Sequence, residues 1–304
     1  MKKYLIFLLI VIEIHANAST YPISPAPLRE LIQKSDYIIK GYVADIKNEK
    51  EYSVAIIAVK ESYQGNINVD TIRIRFEPNM ICPSPDMYFK NTHILSFLKK
   101  DKNTKSQKPD NYFRAVALNY GAKTLDIKDI EIYRQRIVEF QQISKMTDKS
   151  KHFEATVECL VKCAEDPATR WEGTYELSPE SDFMSSYSTT GTAIYGSILS
   201  DGQTQRLKTA LLQGDQTDYT DFGLADLVYP GNEQEIDKFL IAKLKALPDN
   251  AYWYIDGYFN RLKHLNYSAE METLLKDFDK IAYGHKDKEN RRQAINKFLA
   301  LIGE

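Results

Sequence analysis

The first half of the chain alternates apolar and polar positions, which is the period of β-strands with one buried face. The segment VDTIRIRF at residues 69–76 shows the alternation most clearly, because its isoleucines and phenylalanine share one face while Arg73 and Arg75 occupy the other. Val, Ile, Tyr and Phe are also concentrated in four other segments, at residues 36–48, 52–65, 92–99 and 112–118. The pattern therefore predicts five strands.

Two segments beside these strands have helical periodicity. Residues 24–36 begin with prolines and predict a short helix before the first strand. After the last strand, Ile130, Tyr133, Ile137 and Phe140 recur at the spacing of one helix face. Five strands with flanking helices fit a small closed β-barrel, and we assign this barrel domain to residues 19–146.

A polar linker at residues 147–151 precedes a second half in which the apolar spacing is helical. Ser200 and Gln203 form a capping-box pattern, and Ser268 occupies an N-cap position. The predicted helices lie at residues 152–164, 167–177, 203–213, 219–229, 233–247, 251–266, 269–283 and 288–302. The fold class is therefore predicted as α+β multidomain, with a five-stranded barrel first and an all-α helical array at residues 152–304.

The N-terminus has the layout of a secretory signal peptide at residues 1–18. Two lysines precede an apolar run at residues 4–12, and Ala16-Asn17-Ala18 matches a small-x-small cleavage pattern. Retention as a membrane anchor is the alternative, but a membrane span needs about 20 apolar residues. We expect cleavage after Ala18, export to the periplasm or the extracellular medium, and a mature protein that is not an integral membrane protein.

The strand segments of the first half resemble a known architecture. SDYIIKGYVADI, THILSFL and YFRAVALNYG, with a Cys-Pro turn at Cys82, are similar to the oligonucleotide/oligosaccharide-binding (OB) barrel of secreted netrin-like and metalloproteinase-inhibitor-like domains, over residues 25–145. Those inhibitors chelate a protease zinc through an N-terminal cysteine, whereas the predicted mature start here is Ser19. The resemblance implies the fold without the inhibitory activity. The second half resembles a HEAT-like helical repeat array.

Charge excludes one class of partner. The 304 residues include 40 basic and 42 acidic side chains, a formal net charge of −2. This balance lacks the positive field of nucleic-acid-binding proteins, so we expect no nucleic-acid partner. A lysine-rich segment at residues 99–108 has no aromatic neighbour for base stacking before Tyr112, and it is interpreted as a solvated loop.

Metal-binding patterns are weak. Cys159 and Cys163, with His152 ahead of them, could present three ligands on one side of a helix. Burial in the core explains the two cysteines better, because free cysteine is among the most buried residue types. Asp215, Asp218 and Asp221 lack the spacing of a calcium loop and fit acids at a helix start. We therefore expect no metal and no cofactor.

The sequence has no GxSxG and no HExxH motif. The absence of these motifs favours a protein without enzymatic activity. The alternative is an envelope hydrolase in which the fold assembles carboxylates. Glu172 and Glu176, one helical turn apart, are the candidate pair, because paired carboxylates can divide acid and base roles. The competing interpretation is an ordinary pair on a surface helix.

The segment AYWYIDGYFNRLKHLNY has more aromatic residues than one buried helix face can hold. Tyr252, Trp253, Tyr254 and Tyr258 are the candidate binding residues, because aromatic side chains suit peptide or sugar platforms. Packing between helices is the alternative for the same residues.

Together these features predict an exported two-domain binding or scaffolding protein that engages a protein or peptide partner. The sequence leaves the oligomeric state open.

Overall fold

The structure, a computed structural model, describes residues 26–50, 52–77, 88–101, 111–178, 198–214, 220–282 and 288–304. The predicted signal peptide, Cys82 and most of the lysine-rich segment lie outside these residues.

Five strands close into a barrel in the first half of the chain, as predicted, and a short sixth strand joins them. Their bounds are β1 Tyr37–Asn48, β2 Ser53–Gln64, β3 Thr71–Phe76, β4 His93–Lys100, β5 Tyr112–Ala115 and β6 Ala122–Thr124. The order around the barrel is β1-β2-β3-β5-β4, and β4 pairs back with β1. The β3–β5 pair is parallel and the other pairs are antiparallel. β6 pairs with β4 outside this ring. The result is an OB-like barrel.

Alternate side chains of the strands fill the barrel. Ile72, Ile74 and Phe76 of β3 lie in the interior cluster, and each is at most 7% exposed. Arg73 and Arg75 alternate with them and face outward. The alternation in the sequence therefore assigns the inward and outward faces of this strand, as expected for a period of two residues.

Ten helices accompany the strands in the described residues. Their bounds are α1 Leu28–Lys34, α2 Ile127–Ile143, α3 Lys149–Glu165, α4 Arg170–Leu177, α5 Asp201–Leu212, α6 Thr220–Val228, α7 Glu233–Lys245, α8 Ile255–Leu262, α9 Ala269–Ala282 and α10 Lys288–Leu301. Short 3-10 turns at Tyr252–Tyr254 and Lys263–Asn266 flank α8. The capping box of Ser200 and Gln203 is confirmed at the start of α5.

The start of α4 differs from the sequence expectation. The predicted helix begins at Pro167, whereas α4 begins at Arg170 with Thr169 as its N-cap. The Asp166 carboxylate accepts a hydrogen bond from the Ala168 N–H at 2.9 Å, and the Thr169 N–H donates to the Asp166 carbonyl at 3.1 Å. These bonds close a turn between α3 and α4, so the proline opens the turn and the helix follows it.

Successive helices of the second half pack as pairs. α3 contacts α4, α5 contacts α6, α7 contacts α8, and α9 contacts α10. Neighbouring pairs also touch through equivalent helices: α3 contacts α5, and α4 contacts α6. Phe222 of α6 packs edge-on against Tyr258 of α8, with ring centroids 4.9 Å apart. Stacked helix pairs of this kind form a helical array.

The barrel and the array share one apolar cluster. Ile38 and Phe97 from the outer side of the barrel, Ile137 of α2 and Leu160 of α3 belong to it, and it continues to Phe298 of α10. α2 therefore lies between the two halves. α3 begins within the predicted linker, and the proposed domain boundaries stay predictions. None of the described helices combines the length and apolar character needed to cross a lipid bilayer.

Candidate functional site

Glu172 lies on α4 where this helix meets the barrel domain, and it is 2% exposed. Its carboxylate accepts hydrogen bonds from the Leu28 backbone N–H at 2.7 Å and from the Tyr133 hydroxyl at 2.8 Å. It also forms an ion pair with Lys123 Nζ at 2.7 Å. Leu28 opens α1, whose first N–H groups have no partner within the helix. Glu172 therefore ties α4 to α1, α2 and β6.

Glu176 follows one turn later and points to the same junction. Its carboxylate accepts hydrogen bonds from the Arg29 guanidinium, with Nε 2.8 Å from Oε2. Burial raises the pKa of Glu176, and the nearby Arg29 opposes this shift without cancelling it. The Glu176 side chain is 8% exposed and that of Arg29 is 31% exposed. The carboxylate is thus enclosed, whereas its cationic partner reaches solvent.

These contacts define what the two candidate catalytic carboxylates can do. A general acid or base must reach a proton of the substrate. The oxygens of Glu172 and Glu176 are instead engaged by Leu28, Arg29 and residues of β6 and α2. The side chains of Glu172 and Glu176 are 2% and 8% exposed, so they do not form an exposed pair on a surface helix. We name this arrangement the carboxylate junction; its geometry suits holding the two halves of the molecule together.

Aromatic rings enclose the carboxylate junction. Trp171 stacks on Tyr120 and on Tyr175, with centroid separations of 5.3 Å and 5.2 Å. Lys123 Nζ lies 5.8 Å from the centre of the Trp171 ring and 5.6 Å from that of Tyr133. Cation–π contacts of this kind attract the ammonium group to the faces of the rings. Trp171 is therefore a packing residue between the barrel and α4.

Arg170 and Asp221 form a second buried ion pair, which no sequence pattern indicated. Arg170 Nη1 lies 2.7 Å from Asp221 Oδ1, and both side chains are at most 7% exposed. Arg170 also donates to the carbonyl oxygens of Ala164 and Ala210. The sequence predicts only a helix-start role for Asp221, and Asp215 and Asp218 lie outside the described residues. The pair links α4 to α6, and losing one partner of a buried pair is strongly destabilising.

The two helix cysteines are buried and free. Cys159 and Cys163 are each 0% exposed within the shared apolar cluster. The hydrogen bond with Cys159 and burial raise the pKa of the Cys163 thiol well above its ordinary value. Such a thiol is protonated at neutral pH, whereas metal binding requires the thiolate. Among the described residues, no group of three or more His, Cys, Asp and Glu side chains is placed to hold a metal ion.

The aromatic binding candidates have different surroundings. Tyr258 is 2% exposed and packs in the core against Phe222, and the half-buried Tyr254 also lies edge-on to Phe222 at 6.4 Å. Trp253 is 67% exposed. The structure does not describe the side chain of Tyr252. Of the three candidates whose side chains are described, Tyr258 lies in the core, Tyr254 is half-buried and Trp253 is exposed.

A polar cluster joins the end of α6, α7 and the turn after α8. The Tyr229 hydroxyl lies 3.2 Å and 3.3 Å from the two Asp237 oxygens and 2.8 Å from His264 Nε2. The other ring nitrogen, Nδ1, lies 2.6 Å from the Arg261 carbonyl. Burial and the neighbouring Asp237 raise the pKa of Tyr229 to about 12. The hydroxyl is therefore protonated at neutral pH, which suits positioning rather than nucleophilic attack.

An open groove of about 440 Å³ lies where β4 and α2 begin. Its lining includes Thr92, His93, Asp126 and Asp129, and Leu125 is its one apolar residue. Small-molecule sites are usually enclosed and mostly apolar. The groove therefore lacks the character of such a site.

Comparisons with known proteins add no family. The chain matches no protein-family model, and a search of curated proteins gives no match. Function must therefore be inferred from the site geometry.

Proposed function

We propose that this chain is an exported two-domain binding or scaffolding protein that engages a protein or peptide partner. The netrin-like character of the barrel and the HEAT-like character of the array belong to this proposal. The stacked helix pairs support the HEAT-like character. Solenoid proteins commonly bind partners along an extended surface, so this architecture also favours a binding function. Export rests on the signal-peptide pattern of residues 1–18.

The exposed indole of Trp253 is the observation that carries the proposal. Its side chain is 67% exposed, whereas Ile255, Tyr258 and Phe259 just after it are at most 2% exposed. Tyr267, at 59% exposure, follows the other end of α8. Tryptophan presents a large rigid apolar area and is enriched among the residues that dominate binding energy. We infer that Trp253 anchors the partner.

The hydrolase alternative has no comparable support. Glu172 and Glu176 have protein partners in the carboxylate junction. Tyr229 carries a raised pKa, which disfavours a phenolate nucleophile.

A capture experiment with three baits tests the proposal. The purified mature protein, Trp253→Ala and Phe89→Ala are each presented to envelope and medium fractions. Phe89 is the matched control, since it is an exposed aromatic of the barrel at 50% exposure. We expect the wild type and Phe89→Ala to retain the same partner. Trp253→Ala should bind that partner about 30-fold more weakly, as is typical of a hot-spot residue. Equal recovery by all three baits contradicts the role of Trp253. Failure to capture any partner, together with turnover of a hydrolase substrate panel, would defeat the binding function itself.

Export has its own readout. The mature protein should be recovered from the periplasm or the medium, and its N-terminal sequence should begin at Ser19. Recovery from the cytoplasm with the N-terminus intact would contradict export while leaving the capture experiment valid.

A further inference from the structure

The outer side of β3, β5 and β4 carries basic residues and no acidic ones. The three strands read TIRIRF, YFRA and HILSFLKK, with no aspartate or glutamate. Arg73, Arg75 and Arg114 point outward, because the residues that alternate with them fill the barrel. Lys99 also faces outward, since its neighbour Leu98 lies in the barrel interior. We name Arg73, Arg75, Lys99 and Arg114 the cationic face.

Three of these cations lie in one row across the strands. Arg114 of β5 is directly opposite Lys99 of β4. β3 and β5 run parallel, with Arg73 opposite Tyr112 and Ile74 opposite Phe113. Continuing this register by one residue places Arg75 beside Arg114. Neighbouring strands lie about 4.8 Å apart. Like charges in opposed positions destabilise a sheet, so the row favours an anion from outside the barrel.

Asp101 follows β4 beside Tyr112, but no acidic side chain forms an ion pair with the cationic face in the described part of the chain. None of its four residues makes an ion pair or a side-chain hydrogen bond there. Asp45 shares a cross-strand row with Arg73, two strands away, but its carboxylate accepts from Lys90 at 3.0 Å.

Tyrosine rings hold two of the guanidiniums against the barrel. The Arg75 guanidinium lies 4.3 Å from the centre of the Tyr52 ring, and that of Arg73 lies 5.8 Å from Tyr112. Stacking on a ring orients a guanidinium while its N–H donors stay at the edge of the plane. These two arginines are thus oriented to make bidentate hydrogen bonds.

We propose that the cationic face binds a carboxylate-rich segment of a partner protein. Guanidinium groups match carboxylates in a two-bond geometry. Strands within a closed ring have no free edge to add a strand to, so side chains provide the recognition. The whole chain has a formal net charge of −2. A long polyanion would extend past the cationic face and be repelled by the negative charge of the rest of the protein. A short acidic segment contacts the cationic face alone. This surface is separate from Trp253 and goes beyond the proposed function.

Peptide binding to the full mature protein tests the inference. The probe is a fluorescent decaglutamate peptide, with a decaglutamine peptide as the uncharged control. Arg114→Glu reverses the central charge of the row, and Lys128→Glu makes the same charge change at an exposed position of α2. We expect wild type and Lys128→Glu to bind decaglutamate, more weakly at high salt. Arg114→Glu should bind about tenfold more weakly.

Thermal unfolding separates this effect from misfolding. Arg114→Glu places an acid between two cations, so its Tm should equal or exceed that of the wild type. Trp253→Ala should leave decaglutamate binding unchanged, which distinguishes failure of this inference from failure of the proposed function. Equal decaglutamate affinity for all variants, or no decaglutamate binding by the wild type, overturns the inference. Binding of dextran sulfate without binding of decaglutamate also overturns it, in favour of an anionic glycan.

Discussion

Glu172 and Glu176 are identical side chains on one helix, but their carboxylates have different partners. Glu172 has a backbone N–H, a hydroxyl and a lysine as partners, whereas Glu176 has the partly exposed Arg29. Burial dominates at Glu176 and raises its pKa. The pH dependence of stability should therefore report on this residue.

Glu176→Gln should cost less stability near neutral pH than in mild acid. Because the folded-state pKa is raised, the folded protein binds more protons than the unfolded chain between the ordinary and the raised pKa. The stability contributed by Glu176 is therefore present at low pH and falls as pH rises through that window. Urea unfolding of wild type and variant across this range measures the change.

Glu131→Gln is the control for that prediction. The pKa of Glu131 is lowered, chiefly by its hydrogen bond from Arg134. Its stabilising contribution is therefore present at higher pH and is lost as pH falls through the lowered pKa. Glu131→Gln should cost more near neutral pH than in acid. The same pH trend for both variants would contradict a raised pKa at Glu176 and a lowered pKa at Glu131.

At the scale of elements, the crossing of α3 and α4 depends on a glycine. A Cβ at Gly173 would lie 2.4 Å from both the Leu160 carbonyl oxygen and the Ala164 nitrogen. Both contacts are to backbone atoms, which cannot rotate away. The side chains of the carboxylate junction keep their positions only if α4 stays this close to α3.

Gly173→Ala should destabilise the protein by about 1–3 kcal/mol, because the added methyl group forces the helices apart. Gly202→Ala in the first turn of α5 is the matched control, since nothing lies within 4 Å of its Cβ position. The control should be neutral or more stable by up to about 1 kcal/mol, since alanine is the better helix former. Chemical denaturation measures both. Equal stability of the two variants would show that the crossing can relax.

At the scale of the whole molecule, one apolar cluster extends from the outer side of the barrel to α10. Leu28, Ile38 and Phe97 contribute from the barrel domain, and Leu160 and Phe298 contribute from the array. The carboxylate junction and α2 lie along the same boundary. Separating the halves would expose this apolar surface and leave Glu172 without partners.

We therefore expect the mature protein to unfold in a single cooperative transition. Calorimetric and van't Hoff enthalpies should agree, as two-state unfolding requires. A fragment of residues 152–304 should lack that cooperative transition, because it loses the contacts from α1, α2 and the barrel. Two separated transitions, or a fragment that unfolds cooperatively alone, would indicate independent domains as the predicted linker implies.

Much of the fold could be predicted from local pattern, whereas the site could not. The alternation at Ile72 and Ile74 and the capping box at Ser200 report directly on local structure. The sequence also marked Glu172 and Glu176 as a pair by their spacing. Their partners Leu28 and Arg29 lie 144 and 147 residues away, and no local signal names them.

Local pattern alone predicts the five barrel strands, the helices and the order in which a barrel precedes a helical array. Periodicity is a property of consecutive residues, and burying one face of each element follows from it. The packing of separate elements places the two carboxylates in an enclosed junction and brings Arg170 to Asp221. It also buries Tyr258 while leaving Trp253 exposed, and it aligns Arg75, Arg114 and Lys99 in one row. Each of these depends on how separate elements pack, and that packing is set by contacts between residues far apart in the chain.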